Sequence, residues 1–230
     1  MTPFDPTTIL TTRRGLLVGG LAFATTLFTV TGAYAAELAK TPGVTEGPFY
    51  PDKLPLDTDN DLIVIKDSIT PASGEITHQF GRVLDESGSP VKDATVEIWQ
   101  VDAGGAYIHS RTGNKAKQDK HFQGFGTFTT GSTGEYRFRT VKPVAYPGRA
   151  PHIHIKVRKG SKEVLCSQIL IAGNAQNAND GVFRSAGGLI ERELLLAEFK
   201  PKKGSKIGEL DAKFDIVIGK TPDERPRDKR

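Results

Sequence analysis

Short runs of β-forming residues, each closed by a turn signal, recur along this chain between positions 76 and 218. The run 95–101 alternates most clearly: Val96 and Ile98 fall on one side and Glu97 and Trp99 on the other, because side chains alternate along a strand. The runs that we predict to be strands are 76–84, 95–101, 127–130, 136–140, 152–158, 164–172 and 214–218. Short strands at this spacing are typical of a β-sandwich or β-barrel.

One late segment, residues 185–199, has apolar residues at helical spacing. The connection 131–134 has hairpin length, so we expect the strands on either side of it to pair. The pattern as a whole predicts an all-β fold, an antiparallel β-sandwich of about eight strands with long loops and one short C-terminal helix. We expect this domain to span residues 62–220, with an extended N-terminal arm (residues 36–61) before it and a flexible charged tail (residues 221–230) after it.

Residues 1–35 have the pattern of an export signal. Paired Arg13 and Arg14 precede an apolar run at 16–30, and Ala33-Tyr34-Ala35 forms an A-x-A cleavage site. Paired arginines at this place are typical of twin-arginine export. The apolar run is shorter than the roughly 20 residues that a membrane span needs. We therefore expect a periplasmic or otherwise exported protein, with no stable membrane insertion after the signal is cleaved.

Charge and cysteine content restrict the function further. The formal net charge of +4 over 230 residues is a mild excess. Basic residues and aromatic residues do not interleave as they do in nucleic-acid-binding segments, so we predict no nucleic-acid partner. Cys166 is the only cysteine, which excludes an internal disulfide. Because it lies in an apolar run, we expect a buried structural thiol.

The segment Pro151-His152-Ile153-His154-Ile155 predicts a strand with two imidazoles on one face. Proline suits the start of a strand, since it cannot donate to an interior ladder. Imidazole is the commonest protein metal ligand, and two on one strand face make a bidentate seat. From this segment alone, two half-exposed histidines on an amphipathic strand remain an equal alternative.

Two tyrosines extend the set of candidate ligands. Tyr107 lies in the long loop 102–126, and loops of that length are usually functional or disordered. Tyr146 lies shortly before His152. A tyrosine with a pKa of about 10 needs a strongly acidic cation such as ferric iron to remove its proton. Zinc would more often recruit Cys, His or a carboxylate. The remaining histidines, for which we expect surface or structural roles, are His78, His109 and His121.

Six segments taken in order resemble the intradiol ring-cleavage dioxygenases, the non-haem Fe(III) family that includes protocatechuate 3,4-dioxygenase and catechol 1,2-dioxygenase. The resemblance covers nearly the whole chain after the export signal. These segments are 45–51, 81–100, 105–107, 134–143, 146–147 and 149–154.

The resemblance implies a ferric site in which Tyr107 and His152 are the equatorial ligands and Tyr146 and His154 the axial ligands. It implies that a catechol-type aromatic diol displaces Tyr146 and is opened by O2 to a cis,cis-muconate-type diacid. The family also places an arginine beside the site, which Arg149 matches.

A family glutamine on the next strand is matched by Gln168, which completes the implied catalytic set of Arg149, Tyr146 and Gln168. Only five residues separate Tyr146 from His152, fewer than in the better-known members, which predicts a more open site. No counterpart of the N-terminal helical region of the catechol 1,2-dioxygenases is visible.

Two other functions compete with this one. A non-catalytic, transthyretin-like binding module would share the character of residues 81–100, and a zinc-dependent hydrolase could use the two histidines. The joint presence of two tyrosines and two histidines favours the dioxygenase. The identity of the diol stays open, and so does the oligomeric state, with a homo-oligomer compatible with the sequence.

Overall fold

The computed structural model describes residues 38–66 and 68–219. The predicted export signal and the charged tail lie outside these residues. In the described part, no helix is both long enough and apolar enough to cross a membrane.

The described elements are mostly strands. Two single 3-10 turns, Lys115–Lys117 and Ala175–Asn179, lie in the connections. In chain order the strands and helices are β1 Ile76–Leu84, β2 Ala94–Trp99, β3 Phe125–Thr129, β4 Glu135–Val141, β5 His152–Lys159, β6 Lys162–Ile171, α1 Gly181–Ser185, α2 Leu189–Glu193, β7 Leu196–Ala197, β8 Phe199–Pro201, β9 Leu210–Lys213 and β10 Ile216–Val217.

These strands form two five-stranded sheets. In the first, β1 pairs antiparallel with β4 and parallel with β9 and then β10, and β8 lies beyond β9. In the second, the order is β3-β2-β5-β6-β7, with antiparallel pairs except for β6 and β7. The predicted β-sandwich is confirmed, and the short C-terminal strands add parallel pairs at its edges.

The connection 131–134 does not close a hairpin, contrary to expectation. β3 pairs with β2 in the second sheet, whereas β4 pairs with β1 in the first. The connection therefore crosses from one sheet to the other. The strands that it joins still face each other across the core, where the rings of Phe128 and Phe138 lie 6.4 Å apart.

The core lies between the two sheets. Val96, Ile98, Ile153 and Ile155 enter it from the second sheet. The first sheet contributes Val83, Tyr136, Phe138 and Val141. Burial of each large apolar side chain contributes about 1.5–3 kcal/mol, so this layer supplies most of the driving force for folding.

The predicted helix at 185–199 is mostly wrong. Only Leu189–Glu193 forms a helix within it, and Leu189 and Ile190 there are 80% and 73% exposed. Leu196 instead pairs with Leu170 at the edge of β6. The unpaired backbone of that edge outweighs local helix propensity, which is a weak preference.

The predicted strand at 214–218 is shorter than expected, with only Ile216–Val217 (β10) in strand conformation. Phe214 and Asp215 separate β9 from β10, and the Phe214 N–H donates to the Phe80 carbonyl. The two strands approach β1 closely at Gly81, where a Cβ would lie 1.8 Å from the Phe214 carbonyl oxygen. A side chain at position 81 would force this edge of the first sheet apart.

The outer face of the second sheet is covered by the N-terminal arm and by the loop 102–124. Outward residues of β2 and β5, namely Trp99, His152, His154 and Lys156, are all buried under this cover. Phe49 and Tyr50 of the arm belong to the same apolar cluster as Trp99. The second sheet therefore has two buried faces, and the face away from the main core carries the polar side chains.

Candidate metal centre

Two imidazoles meet on the outer face of β5. His152 and His154 are each 1% exposed, and their Nε2 atoms lie 3.2 Å apart. β5 begins at His152, directly after Pro151, as the sequence predicts. The alternative of two half-exposed histidines is wrong, because the arm and the loop bury both rings.

Hydrogen bonds and packing determine which nitrogen of each ring is free. The Nδ1 atom of His152 lies 2.7 Å from the Ala150 carbonyl oxygen. Since a carbonyl only accepts, Nδ1 carries the proton and Nε2 keeps its lone pair. The His154 ring stacks on the Trp99 indole, and its buried Nδ1 has no hydrogen-bond partner among the described residues.

Both rings are neutral at physiological pH. Burial, and then the nearby Arg149 charge, lowers the pKa of His152 to about 4. Burial, followed by the charges of His152 and Arg149, lowers the pKa of His154 well below its ordinary value. Neutral imidazole is the form that binds metals, so no proton must leave these rings before they coordinate.

Tyr107 brings its phenol oxygen to the two imidazoles. Its Oη atom lies 3.3 Å from His152 Nε2 and 3.0 Å from His154 Nε2. The ring stacks on Phe49, with centroids 4.9 Å apart. The Tyr107 N–H donates to Thr112 Oγ1 at 2.9 Å, which fixes the loop locally.

The loop before Tyr107 is held by one carboxylate. Asp102 Oδ1 accepts from the N–H groups of Gly104 and Ala106 at 2.8 and 2.9 Å. Its Oδ2 accepts from the Asp119 N–H. Three backbone donors on one buried carboxylate hold both ends of the loop, and so Tyr107 enters the site from a rigid support.

Tyr146 lies beside this group. Its ring centroid is 5.6 Å from those of Tyr107 and His152. Burial, and then the nearby Tyr146 hydroxyl, raises the pKa of Tyr107 well above its ordinary value. The turn that carries Tyr146 is closed by the Arg149 N–H, which donates to the Tyr146 carbonyl at 2.9 Å.

The three donor atoms of Tyr107, His152 and His154 form a triangle with sides of 3.0, 3.2 and 3.3 Å. Ligands that share one ion at about 2.1 Å lie roughly 3 Å apart when their bonds are near right angles. In the part of the chain that the structure describes, no group of three or more His, Cys, Asp or Glu could hold a metal. A metal held by this triangle would bind a phenol oxygen as well as two imidazoles, and a phenol gives up its proton to a strongly acidic cation.

Arg149 and Gln168 meet beside this triangle. Gln168 lies opposite His154 on β6, accepts from Arg149 Nη2 at Oε1, and donates from Nε2 to the Thr45 carbonyl at 3.0 Å. Arg149 Nη1 donates to Tyr146 Oη at 3.4 Å. All six residues expected at the site thus lie together.

Some residues at the site were missed by sequence reasoning. No role at the site was predicted for Trp99, although Trp99 is the direct partner of His154 across β2 and β5 and lies on the same face. Asp180, which accepts from Arg149 Nε at 3.0 Å, is a helix N-cap. The sequence can indicate that Asp180 is a helix N-cap, but it cannot indicate the contact of Asp180 with Arg149, 31 positions away.

The other histidines and the cysteine lie outside the triangle. His78 pairs with Glu209 at 2.8 Å, and His121 is exposed. His109 is buried, accepts from the Arg111 N–H and meets the edge of Phe49. Cys166 is half-buried rather than buried, and burial raises the pKa of its thiol to about 11, which keeps it protonated.

Comparisons with known proteins agree with this geometry. A family model described as "Dioxygenase" matches residues 45–220. The chain is 36% identical over 165 residues to the protocatechuate 3,4-dioxygenase beta chain of Burkholderia cepacia, covering 66% of this chain and 69% of that protein. It is 32% identical to the alpha chain from Pseudomonas putida, covering 79% and 92%. With hydroxyquinol 1,2-dioxygenase of Corynebacterium glutamicum the identity is 28%, and the chain covers 61% of that relative.

Solved structures share the fold. The dioxygenase domain of a dioxygenase carbohydrate-binding protein fusion from Streptomyces sp. SirexAA-E superposes with a TM-score of 0.61 at 26% identity, over 80% of this chain and 100% of that domain. Catechol 1,2-dioxygenase from Acinetobacter sp. ADP1 gives a TM-score of 0.60 at 21% identity, over 93% and 74%. By the family match over most of its length and by these relatives, the chain belongs to the intradiol ring-cleavage dioxygenases, a family of oxidoreductases.

Proposed function

We propose that this protein is an exported non-haem Fe(III) dioxygenase. It cleaves a catechol-type aromatic diol with O2 between the two hydroxyl-bearing carbons to a cis,cis-muconate-type diacid. The observation that carries the proposal is the donor triangle of Tyr107, His152 and His154, with the Tyr146 ring beside it, its centroid 5.6 Å from those of Tyr107 and His152. Family membership supports the reaction class, and relatives named for catechol, protocatechuate and hydroxyquinol support the substrate class.

Four side chains would hold the ferric ion: Tyr107, Tyr146, His152 and His154. When bound, the ion supplies Lewis acidity and a common point of attachment for the diol oxygens. The imidazoles are already neutral, so only phenolic protons must leave. The two histidine side chains project from the same rigid strand, β5, which fixes their mutual orientation.

The two tyrosines are held unequally. Tyr107 is buried under Phe49 and supported by the loop that Asp102 organises. Tyr146 is half-buried in a short turn, next to exposed Pro147 and Gly148. Tyr146 is therefore the side chain that would be free to move aside for a diol, and its phenol oxygen would be placed to accept one of the diol's protons.

Arg149 supplies a fixed positive charge beside that exchange. Its Nη1 faces Tyr146 Oη, where negative charge would develop as the diol loses its protons. A preorganised cation stabilises such charge without reorganisation during the reaction. Gln168 orients the guanidinium through its Oε1 and is itself anchored to the arm by the Thr45 carbonyl.

Reconstitution with iron tests the reaction. The full chain, loaded with Fe(III), should be burgundy through a tyrosinate charge-transfer band, consume O2 with a catechol, and place both atoms of 18O2 in a ring-opened diacid. A panel of catechol, 3,4-dihydroxybenzoate and hydroxyquinol would identify the preferred diol. Loaded protein without the band and without O2 uptake on the whole panel would contradict the proposal. Diols bound but returned unchanged would indicate a binding module.

The export part of the proposal is supported by the paired Arg13 and Arg14 and the Ala33-Tyr34-Ala35 site. Fusion of residues 1–40 to a reporter that is active only after folded export should give signal in cells with a twin-arginine pathway. Replacement of both arginines by lysine should abolish it. Equal signal from both fusions would rule out this route.

A further inference from the structure

Asp180 makes more contacts than a helix cap requires. Its carboxylate has no exposed surface and lies between the turn 175–179 and α1. Oδ1 accepts from the Phe183 N–H at 2.9 Å, which is the cap itself. Oδ2 accepts from the Ala150 N–H at 2.8 Å and from Arg149 Nε at 3.0 Å. One oxygen of the carboxylate, Oδ2, therefore holds the turn that carries Tyr146 and Arg149.

These contacts determine where the guanidinium of Arg149 points. The group is planar, so fixing one nitrogen restricts the others. With Nε held by Asp180, the terminal nitrogens face Gln168 Oε1 and Tyr146 Oη. The neighbouring Pro147 and Gly148 are exposed, so a guanidinium released by Asp180 has room to swing into solvent.

The same pair sets the charge of the cavity beside the site. This cavity, of about 430 Å³, is lined by Tyr146, Arg149 and Asp180 together with the amides of Gln176 and Asn179. Among the described residues that line it, Arg149 is the only cation and Asp180 the only anion. Their ion pair leaves the cavity with no net charge, and its other polar side chains are the Tyr146 hydroxyl and the amides of Gln176 and Asn179.

We propose that Asp180 is a positioning residue for Arg149. By pairing with Arg149, it also leaves the cavity without net charge, so that the cavity accepts diols with uncharged ring substituents in preference to diols that carry a carboxylate. A carboxylate substituent would lie near a cation that is already paired, and near an anion that repels it. This inference rests on the proposed function for its substrate class, but its charge argument is independent of catalysis.

The variant Asp180→Asn separates positioning and charge from capping. It keeps the side-chain volume and an oxygen that accepts backbone N–H groups, but it removes the negative charge. In iron-loaded protein we expect kcat for catechol to fall about tenfold or more, as for a lost hydrogen bond to a charged group. We expect the ratio of kcat/KM for 3,4-dihydroxybenzoate to that for catechol to rise about tenfold.

A matched control exists in the first sheet. Asp61 also accepts from a backbone N–H, that of Ile63, and also pairs with an arginine through Arg139 Nε at 2.9 Å. Asp61→Asn should alter neither kcat for catechol nor the ratio. Equal kinetics for folded, iron-loaded Asp180→Asn and Asp61→Asn would overturn the proposal and leave Asp180 as a cap.

Two further measurements keep the test decisive. Should Asp180→Asn fail to fold, Asn179→Lys adds a positive charge to the same cavity and must shift the ratio toward 3,4-dihydroxybenzoate; no shift would refute the charge argument. Should the loaded wild type open neither diol, the proposed function fails. Calorimetric affinities of the two diols then test the charge argument. Relative to wild type, Asp180→Asn must still bind 3,4-dihydroxybenzoate more tightly in comparison with catechol.

Discussion

The indole of Trp99 lies parallel to the imidazole of His154, with ring centroids 4.6 Å apart and planes 9° apart. The two residues are direct partners across β2 and β5. Because Nδ1 of His154 has no hydrogen-bond partner among the described residues, this stack supports the ring together with the contacts of its Nε2 with Tyr107 and His152. The orientation of one candidate ligand thus depends on an aromatic residue that binds nothing itself.

Replacing Trp99 tests that dependence. Trp99→Ala should lower the free energy of unfolding by about 3–5 kcal/mol, as for large aromatic residues in cores. It should also reduce iron retention after dialysis, because His154 can then rotate. Trp99→Phe keeps a ring under the imidazole and should retain most of the iron. Full iron content in both variants, measured by metal analysis, would show that the stack does not orient the ligand.

The two tyrosines should respond differently to loss of the hydroxyl. Tyr107→Phe removes a buried donor of the triangle and should abolish both iron binding and the visible band. Tyr146→Phe removes the half-buried donor and should keep most of the iron with a weakened, shifted band. Metal analysis and the visible spectrum measure both effects. Identical iron contents in the two variants would contradict the unequal support described above.

Lys156 should hold the N-terminal arm to the second sheet. It is 3% exposed, pairs with Glu46 of the arm, lies 3.4 Å from Glu163, and lies 4.1 Å from the centroid of the Tyr50 ring. Lys156→Met should lower the free energy of unfolding by about 1–3 kcal/mol and speed proteolysis in the arm. Lys142→Met is the control, because its pair with Glu75 is exposed and should contribute less than about 1 kcal/mol. Equal effects in urea unfolding would refute this role.

Acid should weaken the contact between α1 and the site turn. Burial alone would raise the pKa of Asp180, but the N–H groups of Phe183 and Ala150 and the Arg149 charge outweigh it and lower the pKa. A carboxyl whose pKa is lower in the folded state stabilises the fold above its unfolded pKa of about 4, and this contribution is lost as pH falls further. The difference in melting temperature between wild type and Asp180→Asn should therefore be constant near pH 7 and shrink below pH 4. A difference that grows in acid would contradict this sign.

The sequence predicts which side chains share a face of a strand, but it does not predict which strands pair around the site. Alternation alone places His152 and His154 on one face and Ile153 and Ile155 on the other, because period two is a property of every strand. The pairing of β3 with β2 and of β4 with β1 depends on long-range contacts that a four-residue connection does not encode.

Competition between segments explains the other differences. The apolar residues around Leu196 suit either a helix face or a sheet edge, and the edge of β6 decides between them. Asp180 reads as a cap from its neighbours, whereas its contact with Arg149 arises only when the turn before β5 meets α1. Contacts between residues on different elements are the part of a site that local sequence patterns cannot predict.

The placement of both candidate imidazole ligands on alternate positions of β5 couples assembly of the site to strand alignment. A slip of one residue would turn both histidines inward and both isoleucines outward. The error would place polar rings between the sheets and dismantle the chelating pair at the same moment. Misaligned molecules should thus be both unstable and unable to capture the ion, so metal uptake would select correctly folded chains.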